Sequence, residues 1–145
     1  MKYLLDASAL LPLVTRRGKQ LIIEASRENL VTTDFAIYEA CNTLWKLATL
    51  LKTISSQDAV DVATTLKDLA IKNMIQPVNF AKLDFSHTLK KAYKEHLTFY
   101  DTSYIATAET AEAILVTEDK KLRKTASKFV KTITYTNLEN KLAQK

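Results

Sequence analysis

Short apolar runs alternate with amphipathic helical stretches along the whole chain, and this pattern limits the fold more than any other feature. Lys2–Leu5, Leu30–Thr32, Ile75–Val78, Ala113–Val116 and Thr132–Tyr135 are each too short for a helix and are apolar or β-branched. Pro77 marks the third as an edge or short piece. Strands alternating with helices predict an α/β fold, a mainly parallel sheet with helices on both faces. With no repeat, low-complexity tract or composition shift, 145 residues are expected to form one domain, 1–145, burying roughly two-thirds of the unfolded surface.

The intervening helices follow from period and caps. Ala7–Val14 is a short helix that Asp6 or Ser8 can cap, Thr15–Gly18 a loop, and Lys19–Arg27 an amphipathic helix with Leu21, Ile22 and Ala25 on one face. Phe35–Leu51 buries Ile37, Ala40, Cys41, Leu44, Ala48 and Leu51, while Glu39, Asn42 and Lys46 fall on the opposite side. Ser55–Asp58 has capping-box spacing and opens a helix to about Lys72. Phe80–Glu95 and Leu97–Ala113 are expected to be helical. Asp119–Ser127 is a short basic helix, and Asn137–Gln144 a polar tail of one or two turns.

Several classes are excluded. The only glycine is Gly18, so neither a P-loop nor a dinucleotide-binding fingerprint is present. One cysteine, Cys41, allows no intrachain disulfide, and with His87 and His96 it is too little for a zinc site. No apolar run approaches a membrane span, and Asp6 interrupts the only stretch resembling a signal peptide. A cytoplasmic protein is the expectation.

In open parallel sheets, sites form at the carboxyl ends of strands, where strand order reverses. Asp6 and Asp119 both follow strands, and Asp101, eighteen residues before Asp119, sits in the first turn of a helix. Each has an ordinary role as a helix cap or first-turn acid. Asp101 nevertheless shares a stripe with Tyr104, Ile105 and Ala108, and a carboxylate turned inward needs a cation or several donors. Glu39 stands on a polar helix line, ordinarily a solvent face. Capping explains three of the four acids separately but not their convergence, since two carboxylates about 4 Å apart repel by roughly 4 kcal/mol at an effective dielectric near 20. A hard divalent cation such as Mg²⁺ or Mn²⁺ would reconcile four acids in one pocket. Of 16 acids, setting these four aside leaves 12 against 21 Lys and Arg, a basic surface suited to a polyanion.

These residues also carry a resemblance. DASAL at Asp6–Leu10, EACNTLWK at Glu39–Lys46, YDTSYIATAE at Tyr100–Glu109 and LVTEDKKL at Leu115–Leu122 resemble the PIN-domain nucleases, and most nearly the VapC-type toxins of type II toxin–antitoxin pairs. The resemblance implies a three-layer α/β/α domain with a five-stranded sheet and Mg²⁺- or Mn²⁺-dependent endoribonuclease activity on RNA. It also implies homodimerisation and a small antitoxin partner. It places the acidic site on Asp6, Glu39, Asp101 and Asp119, with Ser8, Asn42 and Thr117 as polar support. Glu118 stands where many relatives have a small or amide residue. Arg16, Arg17, Lys46 and Lys120–Lys124 are candidate phosphate contacts, and an exposed Leu50 would mark a partner surface. Ribosomal RNA processing and a non-catalytic binding module are the alternative expectations. A receiver-like phosphoacceptor domain fits poorly, because Ala7 follows Asp6 and no Asp ends the third strand.

Overall fold

The computed structural model describes residues 1–20 and 28–144. Five strands form one sheet: β1 (Lys2–Leu5), β2 (Asn29–Thr33), β3 (Gln76–Val78), β4 (Ile114–Val116) and β5 (Thr132–Ile133). Their order is β3-β2-β1-β4-β5, with every neighbouring pair parallel. β3, which carries Pro77, is an edge strand as expected, where a missing N–H costs least. The chain builds outward from β1 through β2 to β3, then crosses to the other side of β1 for β4 and β5. Strand order therefore reverses between β1 and β4.

Helices flank this sheet. α1 (Ala7–Arg17), α2 (Asp34–Thr49), α3 (Ser56–Ile71) and α7 (Tyr135–Ala143) pack in one group. α4 (Phe85–Glu95) packs on α5 (Phe99–Ala111), and α5 lies against β1 and β4; α6 (Lys120–Ala126) leads into β5. The central strands are buried throughout as Tyr3–Leu5 and Ile114–Val116, which is why they read as continuous apolar runs. No helix among the described residues is long and apolar enough to cross a membrane.

Several boundaries differ from expectation, mostly through capping. α1 continues through Thr15–Arg17 instead of ending in a loop: the Thr15 hydroxyl bonds back to the Leu11 carbonyl, and two arginines suit the negative helix end. Gly18 then closes it at φ +38°, where an L side chain would be strained. The expected helix at Lys19–Arg27, with Leu21, Ile22 and Ala25, lies almost wholly outside the described residues. α2 stops at Thr49, which leaves Leu51 exposed instead of in the buried stripe.

The segment Phe80–Glu95 is not one helix. Asn79 caps a short 3-10 turn at Phe80–Lys82, and Asp84 starts α4 afresh by accepting from His87 N–H. Two caps so close together force a break. Likewise α5 begins at Phe99 because Thr98 caps it, and ends at Ala111. At the C-terminal end, Thr134 forms a capping box with Asn137, so β5 is shorter than expected. The presumed polar tail is instead the amphipathic α7, whose Tyr135, Leu138 and Leu142 join the core.

Candidate active site

The site lies at the carboxyl ends of β1 and β4, where strand order reverses. Asp6 ends β1 and is 4% exposed. Its carboxylate caps α1 by accepting from Ala9 N–H at 3.1 Å, takes the Ser8 hydroxyl at 2.6 Å, and accepts a short bond from the Thr117 hydroxyl. Thr117 is fully buried just past β4 and also accepts from Asp119 N–H. Capping and convergence therefore coexist at Asp6. Burial pushes its carboxyl up to about 6, with the charge of Glu39 adding, against the lowering effect of the Ser8, Thr117 and Ala9 bonds.

Asp119 caps α6 through Leu122 N–H at 3.1 Å and is exposed. Asp101 lies in the first turn of α5, its N–H held by the Thr98 hydroxyl. It is half-buried beside fully buried Tyr104, Ile105 and Ala108, as the stripe indicated. Burial raises its pKa, and the charges of Asp119 and Glu39 raise it further, while Lys121 opposes them. Glu39 is not on an idle solvent face. It is half-buried and accepts a 2.8 Å bond from the buried Tyr104 phenol, whose own pKa is raised by burial and by that carboxylate.

Asp6 thus feels Glu39, and Asp101 feels both Glu39 and Asp119, so the fold links all four acids in one field. Asp6, Glu39 and Asp119 also each accept from a protein donor. Among the described residues, no three acidic, histidine or cysteine side chains close on a single point at ligating range. Asn42 is exposed, and no hydrogen bond ties it to the four acids among the described residues.

The remaining candidates divide. Ser8 and Thr117 are in the cluster and lie 3.4 Å apart. Glu118 turns away from the acids: its carboxylate accepts Tyr135 N–H at 2.5 Å, while its own N–H bonds Ser8 Oγ at 2.9 Å. Arg16 and Arg17 both reach Glu139 on α7, at 3.0 and 3.5 Å, which makes them docking groups for that helix. Arg123 supports the site loop by donating to the Thr117 carbonyl at 2.9 Å. Lys121 is the exposed cation that acts on Asp101. Tyr104 was missed as a site residue. The signal was available: it follows Asp101 by three positions on the inward face, and a buried phenol needs a partner.

A parallel sheet with acids gathered at its switch point narrows the class, and comparison fixes it. The PIN domain family model matches residues 3–128, and the chain belongs to that family. Within it, the chain is 36% identical over 123 residues to Exonuclease VapC9 of Pyrobaculum aerophilum, covering 84% of both proteins. Among solved structures, PAE2754 from Pyrobaculum aerophilum superposes with a TM-score of 0.76 at 29% identity, over 100% of this chain and 98% of that one. A chain of VapBC-1 from nontypeable Haemophilus influenzae shares the fold at 14% identity, with a TM-score of 0.59 and coverage of 94% and 99%.

Proposed function

We propose that the chain is a divalent-metal-dependent endoribonuclease that hydrolyses RNA phosphodiester bonds as the toxin of a VapBC-type pair. The observation that carries this reading is the placement of Asp6 and Asp119 at the carboxyl ends of the paired strands β1 and β4, joined by the Thr117 hydroxyl, which donates to Asp6 and accepts from Asp119 N–H. Membership of the PIN family and a relative named as an exonuclease support a nuclease, and that relative's VapC name and a neighbour solved as VapBC-1 support the pairing with an antitoxin.

The donors fit a hard divalent ion: all four are carboxylates, with the Ser8 and Thr117 hydroxyls bonded to Asp6. The raised carboxyl of Asp6 fits as well, since a nearby cation would restore its ionised form. Asp6, Asp101 and Asp119 would hold Mg²⁺ or Mn²⁺, with Glu39 as a further ligand or the group that orients the attacking water. When bound, the ion supplies charge neutralisation at the phosphate and a more acidic water. The protein's part is positioning. Ser8 and Thr117 fix the angle of Asp6, Tyr104 aims Glu39, and Lys121 offers a cation on the Asp101 side. In-line attack would leave 5′-phosphate and 3′-hydroxyl ends.

One domain over 1–145 is supported by α7, which lies beyond the family match yet packs on α1 through the shared core. A cytoplasmic setting and a homodimer complete the reading. Trp45, Leu50 and Val60, all more than half exposed, support a homodimer or antitoxin surface.

The test uses a circular RNA, which only an endonuclease can open. Cutting with Mg²⁺ or Mn²⁺, its loss in EDTA, and its loss in a folded Asp101→Asn variant are expected. Full activity in Asp101→Asn would sink the assigned site. Trimming confined to linear RNA would make the enzyme an exonuclease, and binding without any cutting would favour a non-catalytic module.

A further inference from the structure

Asp6 and Asp119 mark only part of the sheet's carboxyl edge, the ends of β1 and β4. Beyond β2 and β3 the same edge carries a pocket of about 140 Å³ lined by aromatic rings. Phe35 and Tyr100 stack face to face, with centroids 4.8 Å apart and planes 8° apart. Phe85 stands between Phe80 and Phe99, at 6.4 and 5.3 Å. Tyr100, Phe80 and Phe85 are 60%, 63% and 52% exposed, so this cluster is not simply core.

Its position relates it to the acids. Tyr100 directly precedes Asp101, and Phe35 lies one helical turn before Glu39. The stacked pair is therefore rooted on the same two helices that carry two of the acids. Neighbouring strands are about 4.8 Å apart, which puts the ends of β2 and β3 roughly 5 to 10 Å along the edge from Asp6. The pocket is also held in shape: the Asp34 carboxylate accepts N–H bonds from Phe35 at 2.8 Å and Phe80 at 3.0 Å, tying the Phe80–Lys82 turn to α2.

We propose that this pocket takes an unpaired nucleobase from a nucleic-acid strand whose neighbouring phosphate lies over the acids. The inference rests on the nuclease reading and adds a subsite to it. The volume is below the range of drug-sized ligand sites and suits one planar ring system. An incoming base extends the Phe35–Tyr100 stack, an interaction open to any unpaired base and closed to a paired one. Asn79 lines the pocket and is exposed; its side-chain oxygen accepts from Ala81 N–H at 2.8 Å, and its amide nitrogen would donate to a base edge.

The experiment uses the full chain carrying Asp101→Asn, in Mg²⁺, with short single-stranded RNAs bearing 2-aminopurine at successive positions. One position should be quenched on binding. Tyr100→Leu should remove that quench and weaken binding about 10-fold, whereas Tyr100→Trp should retain both. Making that position abasic should cause the same loss, and Tyr100→Leu should then add nothing. The subsite is overturned if no position responds to Tyr100, or if the loss in Tyr100→Leu persists on the abasic strand. It is equally overturned if Tyr100→Leu changes the sedimentation of the chain while base-dependent binding stays intact, which would make the face a protein interface. Wild-type cleavage with no Tyr100 dependence faults the subsite alone. Base-dependent binding by a wild-type chain that cuts no RNA faults the nuclease reading alone.

Discussion

Tyr104 and Glu39, 65 residues apart in the chain, meet in a 2.8 Å hydrogen bond that joins α5 to α2. The phenol is 2% exposed and donates to a half-buried carboxylate, so it fixes where Glu39 points. Tyr104→Phe should fold, lose about 1 kcal/mol of stability, and slow RNA cleavage by about 10- to 100-fold. Single-turnover rates alongside thermal melts check this. An unchanged rate would remove Tyr104 from the positioning of Glu39.

That bond also shows where sequence reasoning reaches its limit. The parallel sheet, the edge position of β3 and the burial beside Asp101 were legible, because each follows from a period, a proline or an inward stripe. The side of α2 facing α5 was not. Period alone puts Glu39 opposite the buried stripe, and only the folded chain shows that this side meets Tyr104. Arg16 and Arg17 read as candidate phosphate contacts for the same reason. Nothing local foretells that Glu139 comes back across α1, because the residues of 137–144 are mostly polar and show a docked face only once folded. The break at Leu83 was readable in principle, since Asn79 and Asp84 are both good caps.

The raised carboxyl of Asp6 makes stability depend on pH with a definite sign. Its pKa is about 6 in the folded chain and near 3.9 unfolded, so the folded state holds the proton more tightly. The stabilisation from the neutral form is complete below about pH 4 and is lost as pH rises through 6, a change of about 3 kcal/mol. Asp6→Asn keeps an oxygen for Ala9 N–H and has no charge to bury. In EDTA, urea melts should therefore show the variant gaining on wild type between pH 4 and 7. A gap that is flat with pH would mean the carboxyl is not strained.

Glu118 serves a different purpose from its acidic neighbours. Its carboxylate takes Tyr135 N–H in the first turn of α7, a favourable place for negative charge, and its N–H reaches the Ser8 hydroxyl that holds Asp6. Glu118→Ala should cost about 1 kcal/mol and raise local amide exchange at the start of α7, while Glu118→Gln, which keeps the acceptor, should stay close to wild type. Metal affinity should be unchanged in the Gln variant. A large fall in that affinity would place Glu118 among the ligands after all.

Divalent cation binding should be visible as stability before any RNA is added. An ion that binds the folded chain alone stabilises it by about 2.7 kcal/mol at a hundred times its dissociation constant. Mg²⁺ or Mn²⁺ at neutral pH should accordingly raise the melting temperature of wild type, and the rise should be largely lost in Asp6→Asn and Asp101→Asn. The proton and the cation compete for Asp6, whose carboxyl titrates near 6, so the same ion should stabilise less at pH 5 than at pH 7.5. Glu39→Gln separates two arrangements. If Glu39 is a ligand, the variant loses most of the shift; if it only orients water, the shift survives and cleavage alone falls. A melting temperature indifferent to both ions at every pH would leave the four linked acids without their cation, and the metal-dependent mechanism would fail with them.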